Sequence, residues 1–191
     1  MRQIDFLMIG VQVIWGIIEI SILLRKRSSI DNSKSKEFRY AYAMYCFCLL
    51  LGVVFGILLR INNSLNLYSN SVLFPLFGIL LMIIGSSIRL IAISTLKKAF
   101  TVNLAISKDQ QLIEKGFYKV IRHPAYLGSI ISFLGFGICY GNIVSILIIA
   151  IPYIFYIVTR IKYEEKMLIE KFGDEYKEYM EKTYRLIPFV F

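Results

Sequence analysis

One histidine occurs in 191 residues, and it sits in the run Arg122-His123-Pro124-Ala125-Tyr126-Leu127-Gly128. Upstream lies Gly116-Phe117-Tyr118-Lys119. Downstream, beyond two apolar segments, lie Arg160, Glu164-Glu165 and Phe172-Gly173-Asp174-Glu175-Tyr176. Cations, a carboxylate pair and aromatic rings thus gather where apolar segments end. Such a rim suits a charged organic molecule arriving from water and a greasy one arriving from lipid. A ligand carboxylate seeks a cation or the N–H groups of a helix start; Arg122, His123 and the chain after Pro124 supply both. Hydroxyl groups seek a carboxylate, Glu164 or Glu165. A flat heterocycle seeks an apolar or aromatic slot, for which Tyr118, Tyr126 and Phe172 are candidates.

The elements that must position these groups are membrane helices. The chain is 57% hydrophobic and 18% charged, and its mean hydropathy is +0.64. A soluble domain of this size rarely looks like this. The expectation is an all-α, polytopic membrane bundle of about five transmembrane helices, forming a single domain over 1–191. The apolar segments are 4–24, 40–61, 72–96, 126–140 and 143–159. The first is read as a retained helix rather than a leader, for want of a small-residue cleavage pattern. The first three, within 1–96, are long enough to cross about 30 Å of hydrocarbon at about 1.5 Å per residue. The last two are joined by Gly141-Asn142, a turn signal, and read as a short hairpin over 124–159. Pro124 suits the first turn of its first helix, and Pro152 should kink its second. A C-terminal amphipathic helix is expected over 160–183, lying at the cytoplasmic interface. Its apolar stripe is Leu168, Phe172, Tyr176 and Tyr179. Gly173 invites a break within it.

The net charge is +9. Nineteen lysines and arginines fall in the 25–39 and 97–122 loops and after 159; only Arg2 and Arg60 fall on the other side. That asymmetry predicts an outside N-terminus, with the C-terminus and the polar rim cytoplasmic. Basic residues in such loops contact anionic lipid, and nucleic acid is not expected as a partner. Cys46, Cys48 and Cys139 lie in apolar runs without a Cys-x-x-Cys, so no metal centre or disulfide framework is expected. Glu19 and Arg89 are charges inside spans. Each costs about 2.5–3.5 kcal/mol on insertion scales, so each needs a partner or a route to the interface.

The combined pattern is Gly116-x-Tyr118-x-x-x-Arg122-His123-Pro124-x-Tyr126-x-Gly128, then Glu164-Glu165-x-x-Leu168, Phe172-Gly173-x-x-Tyr176-x-x-Tyr179 and Arg185-x-Ile187-Pro188. It resembles the isoprenylcysteine carboxyl methyltransferase family and is similar to the related phospholipid methyltransferases. The likeness covers about 85–188. It implies a helical membrane methyltransferase that uses S-adenosylmethionine, with a cofactor-binding catalytic region over 97–191 at the cytoplasmic side. By that resemblance Tyr118, Arg122, His123, Tyr126, Leu127, Gly128, Glu164 and Glu165 are the candidate cofactor-binding residues. Arg160 and Glu164 are the candidate catalytic ones. The cofactor's ribose would meet Glu164 or Glu165, its carboxylate Arg122, His123 or the helix start. The chain has no Gly-x-Gly-x-x-Gly, so a Rossmann-type methyltransferase is not supported. The acceptor is expected to be a lipophilic small molecule or a lipidated group; whether its carboxylate, thiol, amine or hydroxyl is methylated stays open.

Two other readings remain at this level. Membrane sterol and steroid reductases carry a similar Arg-His-Pro-x-Tyr-x-Gly element and use NADPH. They would be expected to show a glutamate after the glycine and a Trp-rich C-terminal half. This chain has Ser129 there, and its one tryptophan is Trp15. A non-catalytic membrane scaffold is the third.

The charge asymmetry generates a direct test of orientation. Reporter fusions placed after Asn66 and after Phe191 are expected on opposite faces of the membrane. Same-side signals would contradict the span count.

Overall fold

The computed structural model describes residues 3–25, 43, 46–47, 49–58, 72–96 and 112–188. Helix α1 is Gln3–Arg25, and an apolar helical stretch α2 includes Leu49–Leu58. Then come α3 (Leu73–Leu96), a 3₁₀ turn (Gly116–Lys119), α4 (Pro124–Ile138), α5 (Ile143–Phe172) and α6 (Asp174–Lys182). Every named element among the described residues is helical, and an isolated parallel bridge joins Ile121 and Tyr184. Apolar segments in lipid must satisfy their backbone internally, which leaves the helix as the solution here. Three described helices, α1, α3 and α5, are long and apolar enough to cross a membrane, while Leu49–Leu58 and α4 are shorter. Phe6, Ile14, Leu73, Phe77, Ile83 and Phe155 project outward from these helices, as lipid-facing side chains do. The expected loops at 26–39 and 97–111 and the expected span ends near 40 and 61 lie outside the described residues.

The bundle is organised around the antiparallel pair α3 and α4, the most extensive contact between elements. In lipid, helices gain little from hiding apolar surface, so small residues that permit close approach decide where they touch. Gly78 and Gly85 lie on α3 seven residues apart, and Gly128 and Gly135 repeat that spacing on α4. They meet in opposite order. A Cβ on Gly135 would stand 2.5 Å from the Gly78 carbonyl oxygen, and one on Gly128 would stand 2.5 Å from the Gly85 carbonyl oxygen. Between these contacts Ser132 Oγ donates to the Met82 carbonyl and lies 3.3 Å from Ser86 Oγ. α1 closes one side: Trp15 packs edge-on to Phe133, with ring centroids 4.7 Å apart. The spanning charges pair, Arg89 Nε lying 2.9 Å from Glu19 Oε1. Arg89 Nη1 also donates to the Ala125 carbonyl oxygen at 3.2 Å, tying α3 to the first turn of α4.

The turn after α4 uses Gly141 at φ +69°, a conformation glycine adopts freely. Asn142 then caps α5, its side-chain oxygen accepting from the Ser145 N–H at 2.8 Å. The helix expected to begin at 160 is no separate element: α5 runs unbroken from Ile143 to Phe172, through Pro152. The break falls at Gly173, φ +57°, after which α6 begins.

These contacts set a stability test. Gly85→Ala and Gly128→Ala are each expected to lower the thermal midpoint in detergent, as overpacking by about 1–3 kcal/mol does. Gly10→Ala and Gly16→Ala, where an added Cβ meets nothing within 4 Å, are expected to leave it unchanged or slightly raised.

Candidate active site

α4 starts at Pro124, whose fixed φ and missing N–H suit the first turn. The residue before it, His123, is the N-cap and makes no side-chain cap bond. Its imidazole turns instead to α5, where Nε2 lies 3.3 Å from Glu165 Oε1. An ionised carboxylate only accepts, which assigns the proton to Nε2. Arg122 converges on the same oxygen, Nε donating at 3.0 Å. Arg185 takes the other, with Nη2 at 2.8 Å from Oε2. Glu165 is 4% exposed, so this is a buried charged knot rather than a solvated surface pair.

Backbone bonds brace the knot. The Arg122 N–H donates to the Tyr184 carbonyl at 2.8 Å, the His123 N–H to Arg185 at 3.2 Å, and the Tyr184 N–H to Val120 at 2.9 Å. The segment after α6 therefore lies parallel to 120–123. Arg122 Nη1 also donates to the Met180 carbonyl at 2.9 Å and to the Thr183 carbonyl. An arginine fork suits several acceptors at once, where a lysine offers a point charge.

A second network runs beside the first. Arg160 Nε donates to Tyr126 Oη at 2.7 Å, and Tyr126 Oη donates to Glu164 Oε2 at 2.6 Å. Arg160 Nη1 donates to Tyr156 Oη at 2.9 Å. The guanidinium also sits 5.6 Å from the centre of the Tyr126 ring. The rings of His123 and Tyr126 stack at 5.7 Å and join the two networks. Tyr118 is buried against Ala92 and Ala125. Burial, and then the Glu164 carboxylate, push its hydroxyl up, so it stays protonated. Tyr179 donates to the Tyr118 carbonyl at 2.6 Å.

The structure thus gathers Tyr118, Arg122, His123, Tyr126, Arg160, Glu164 and Glu165 at one end of the bundle. Two expected residues sit differently. Gly128 faces α3, where an added Cβ would stand 2.7 Å from the Arg89 N. Leu127 packs on the apolar core. Both hold α4 in place. Tyr156 enters the rim anew, while Arg185 and Tyr176 stood in the sequence pattern but not among the candidate site residues. Tyr156 was findable, one turn before Arg160. Arg185 carries no periodic signal that links it to Glu165.

Comparison with known proteins places this geometry. A family model described as phospholipid methyltransferase matches residues 73–175. The protein-S-isoprenylcysteine O-methyltransferase A of Arabidopsis thaliana is 35% identical over 116 residues, 60% of this chain and 59% of that protein's length. The protein-S-isoprenylcysteine O-methyltransferase of Saccharomyces cerevisiae is 33% identical over 163 residues, 84% of this chain and 66% of the relative. Among solved structures, the eukaryotic intramembrane Ras methyltransferase ICMT superposes with a TM-score of 0.67 at 25% identity, over 98% of this chain and 67% of that one. The chain therefore spans less than two thirds of the Arabidopsis relative's length.

The two carboxylates are expected to separate in a stability measurement. Glu165→Gln leaves Arg122, Arg185 and His123 facing a neutral group; breaking a buried pair costs roughly 3–5 kcal/mol. Glu164→Gln, which weakens one charged hydrogen bond from Tyr126, should cost less, about 1.5–3 kcal/mol. Thermal midpoints should fall in that order, and Glu165→Gln should raise hydrogen exchange at 183–186. Equal effects would contradict the knot.

Proposed function

We propose that this chain, which belongs to the phospholipid methyltransferase family, methylates a lipophilic acceptor with S-adenosylmethionine. The Arg160–Tyr126–Glu164 relay beside the Glu165 knot is the observation that carries the reading. It sets a polar, charge-balanced floor against helices whose outer faces are apolar. The chain is an integral membrane protein; the charge asymmetry of its loops supports a cytoplasmic rim.

The donor set fits the cofactor. S-adenosylmethionine supplies a methyl group on a sulfonium cation. Glu164 offers a carboxylate to cationic and hydroxyl-bearing parts, and Tyr126 fixes one of its oxygens. Arg122, His123 and the Ala125 N–H at the start of α4 suit the methionyl carboxylate. Tyr118 and Tyr126 suit the adenine. Arg160, held by Tyr126 and Tyr156, is turned into a fixed cation that can orient an anionic acceptor. Positioning of two reactants contributes up to about 7–11 kcal/mol when alignment is good. A carboxylate acceptor needs no general base, so orientation and exclusion of water are the residues' main work. By likeness to relatives named as isoprenylcysteine O-methyltransferases, the acceptor is a lipidated cysteine whose lipid reaches the rim from within the bilayer. Those relatives are methyltransferases, so the reductase and scaffold readings are not favoured.

Calorimetry on detergent-purified protein tests this. S-adenosylhomocysteine is expected to bind and NADPH to give no heat; the reverse would sink the reading. His123→Ala and Glu164→Gln are expected to weaken binding roughly ten- to a hundredfold, the worth of a hydrogen bond to a charged group. Arg160→Ala should mainly slow turnover of the acceptor. Glu178→Gln, on an exposed face of α6, should change affinity less than about twofold.

A further inference from the structure

One polar atom of the rim is left over. Tyr176 is 1% exposed, and its hydroxyl has no hydrogen-bond partner among the described residues. Gly173 turns the chain so that α6 returns beneath the end of α5, and the Tyr176 ring packs 5.8 Å from that of Tyr179. The hydroxyl lies within electrostatic reach of Glu165, Glu164 and Arg122. Its neighbours are engaged. Arg122 is shared among Glu165, Met180 and Thr183, Glu165 is held by three donors, and the Tyr179 hydroxyl serves Tyr118.

A buried hydroxyl without a partner is a penalty that phenylalanine would remove. Keeping tyrosine at this spot calls for a partner that arrives with a ligand. Burial, and then the two carboxylates, push the phenol up, so it offers a neutral O–H. The same carboxylates disfavour an anionic partner. The remaining chemistry is an uncharged group that can accept from Tyr176 and donate to a carboxylate. A vicinal diol does both at once.

Resting on the methyltransferase reading, we propose that Tyr176 is a cofactor-binding residue: its hydroxyl donates to one ribose hydroxyl of S-adenosylmethionine, while Glu164 accepts from the diol. Tyr126 and Tyr176 thereby approach the cofactor region from α4 and α6, and the diol completes the hydrogen bonding of the rim.

The test is a cycle of protein and ligand changes. Wild type and Tyr176→Phe are titrated with S-adenosylhomocysteine and with its 2′-deoxy and 3′-deoxy analogues. Tyr176→Phe is expected to melt no lower than wild type without ligand, since it removes an unpartnered group. It should bind S-adenosylhomocysteine roughly tenfold more weakly. That penalty should vanish with one of the two deoxy analogues. Unchanged affinity for S-adenosylhomocysteine overturns the assignment. An equal loss with all three ligands also overturns it, because that is the mark of a structural role. Failure of the wild type to bind S-adenosylhomocysteine would instead refute the methyltransferase reading itself.

Discussion

The Glu165 carboxylate is the charge on which the rim depends. It holds two guanidiniums and an imidazole that come from chain segments far apart in sequence. Each of those groups would be costly to leave unpaired beside lipid. Together they fasten the start of α4 and the segment after α6 to the C-terminal half of α5. His123 and Tyr126 then have little freedom before any ligand arrives. Preorganised polar groups of this kind need no rearrangement when charge develops next to them.

The knot fixes one end of α4; the glycine contacts fix its depth. Four glycines let α3 and α4 backbones touch, and the touching points leave one register for the pair. Arg89 adds a donor to the first turn of α4 while its charge is met by Glu19 on α1. The intramembrane ion pair and the rim are therefore linked through backbone at Ala125. Tyr126, the next residue, carries the hydrogen bonds to Arg160 and Glu164.

Much of this was legible in the sequence, and the exceptions have physical causes. Pro124, Gly141-Asn142 and Gly173 announced a helix start, a turn and a break, because each imposes a backbone conformation by its own covalent structure. The boundary expected at 160 came from the end of the apolar run, which marks where lipid stops and not where a helix stops. No glycine or proline separates Thr159 from Phe172, so nothing halts the hydrogen-bonded spiral. The adjacent glutamates looked like one acidic site. Successive helical residues point about 100° apart, so Glu164 and Glu165 face different partners. Arg185 stood in the sequence pattern, but its pairing with Glu165 was hidden: it arrives beside a parallel bridge, and isolated pairings of that kind leave no periodicity.

The unbroken α5 has a mechanical consequence. Its thirty residues make a rod about 45 Å long, apolar at one end and bearing Arg160, Glu164 and Glu165 at the other. A helix answers a change in bilayer thickness by tilting. The rim residues lie past the middle of that helix, about 25–33 Å from its start, so a tilt of α5 would shift them relative to the hydrocarbon. Bilayer thickness, which varies among cellular membranes, would then act on the site through the lie of one helix rather than through a bound molecule.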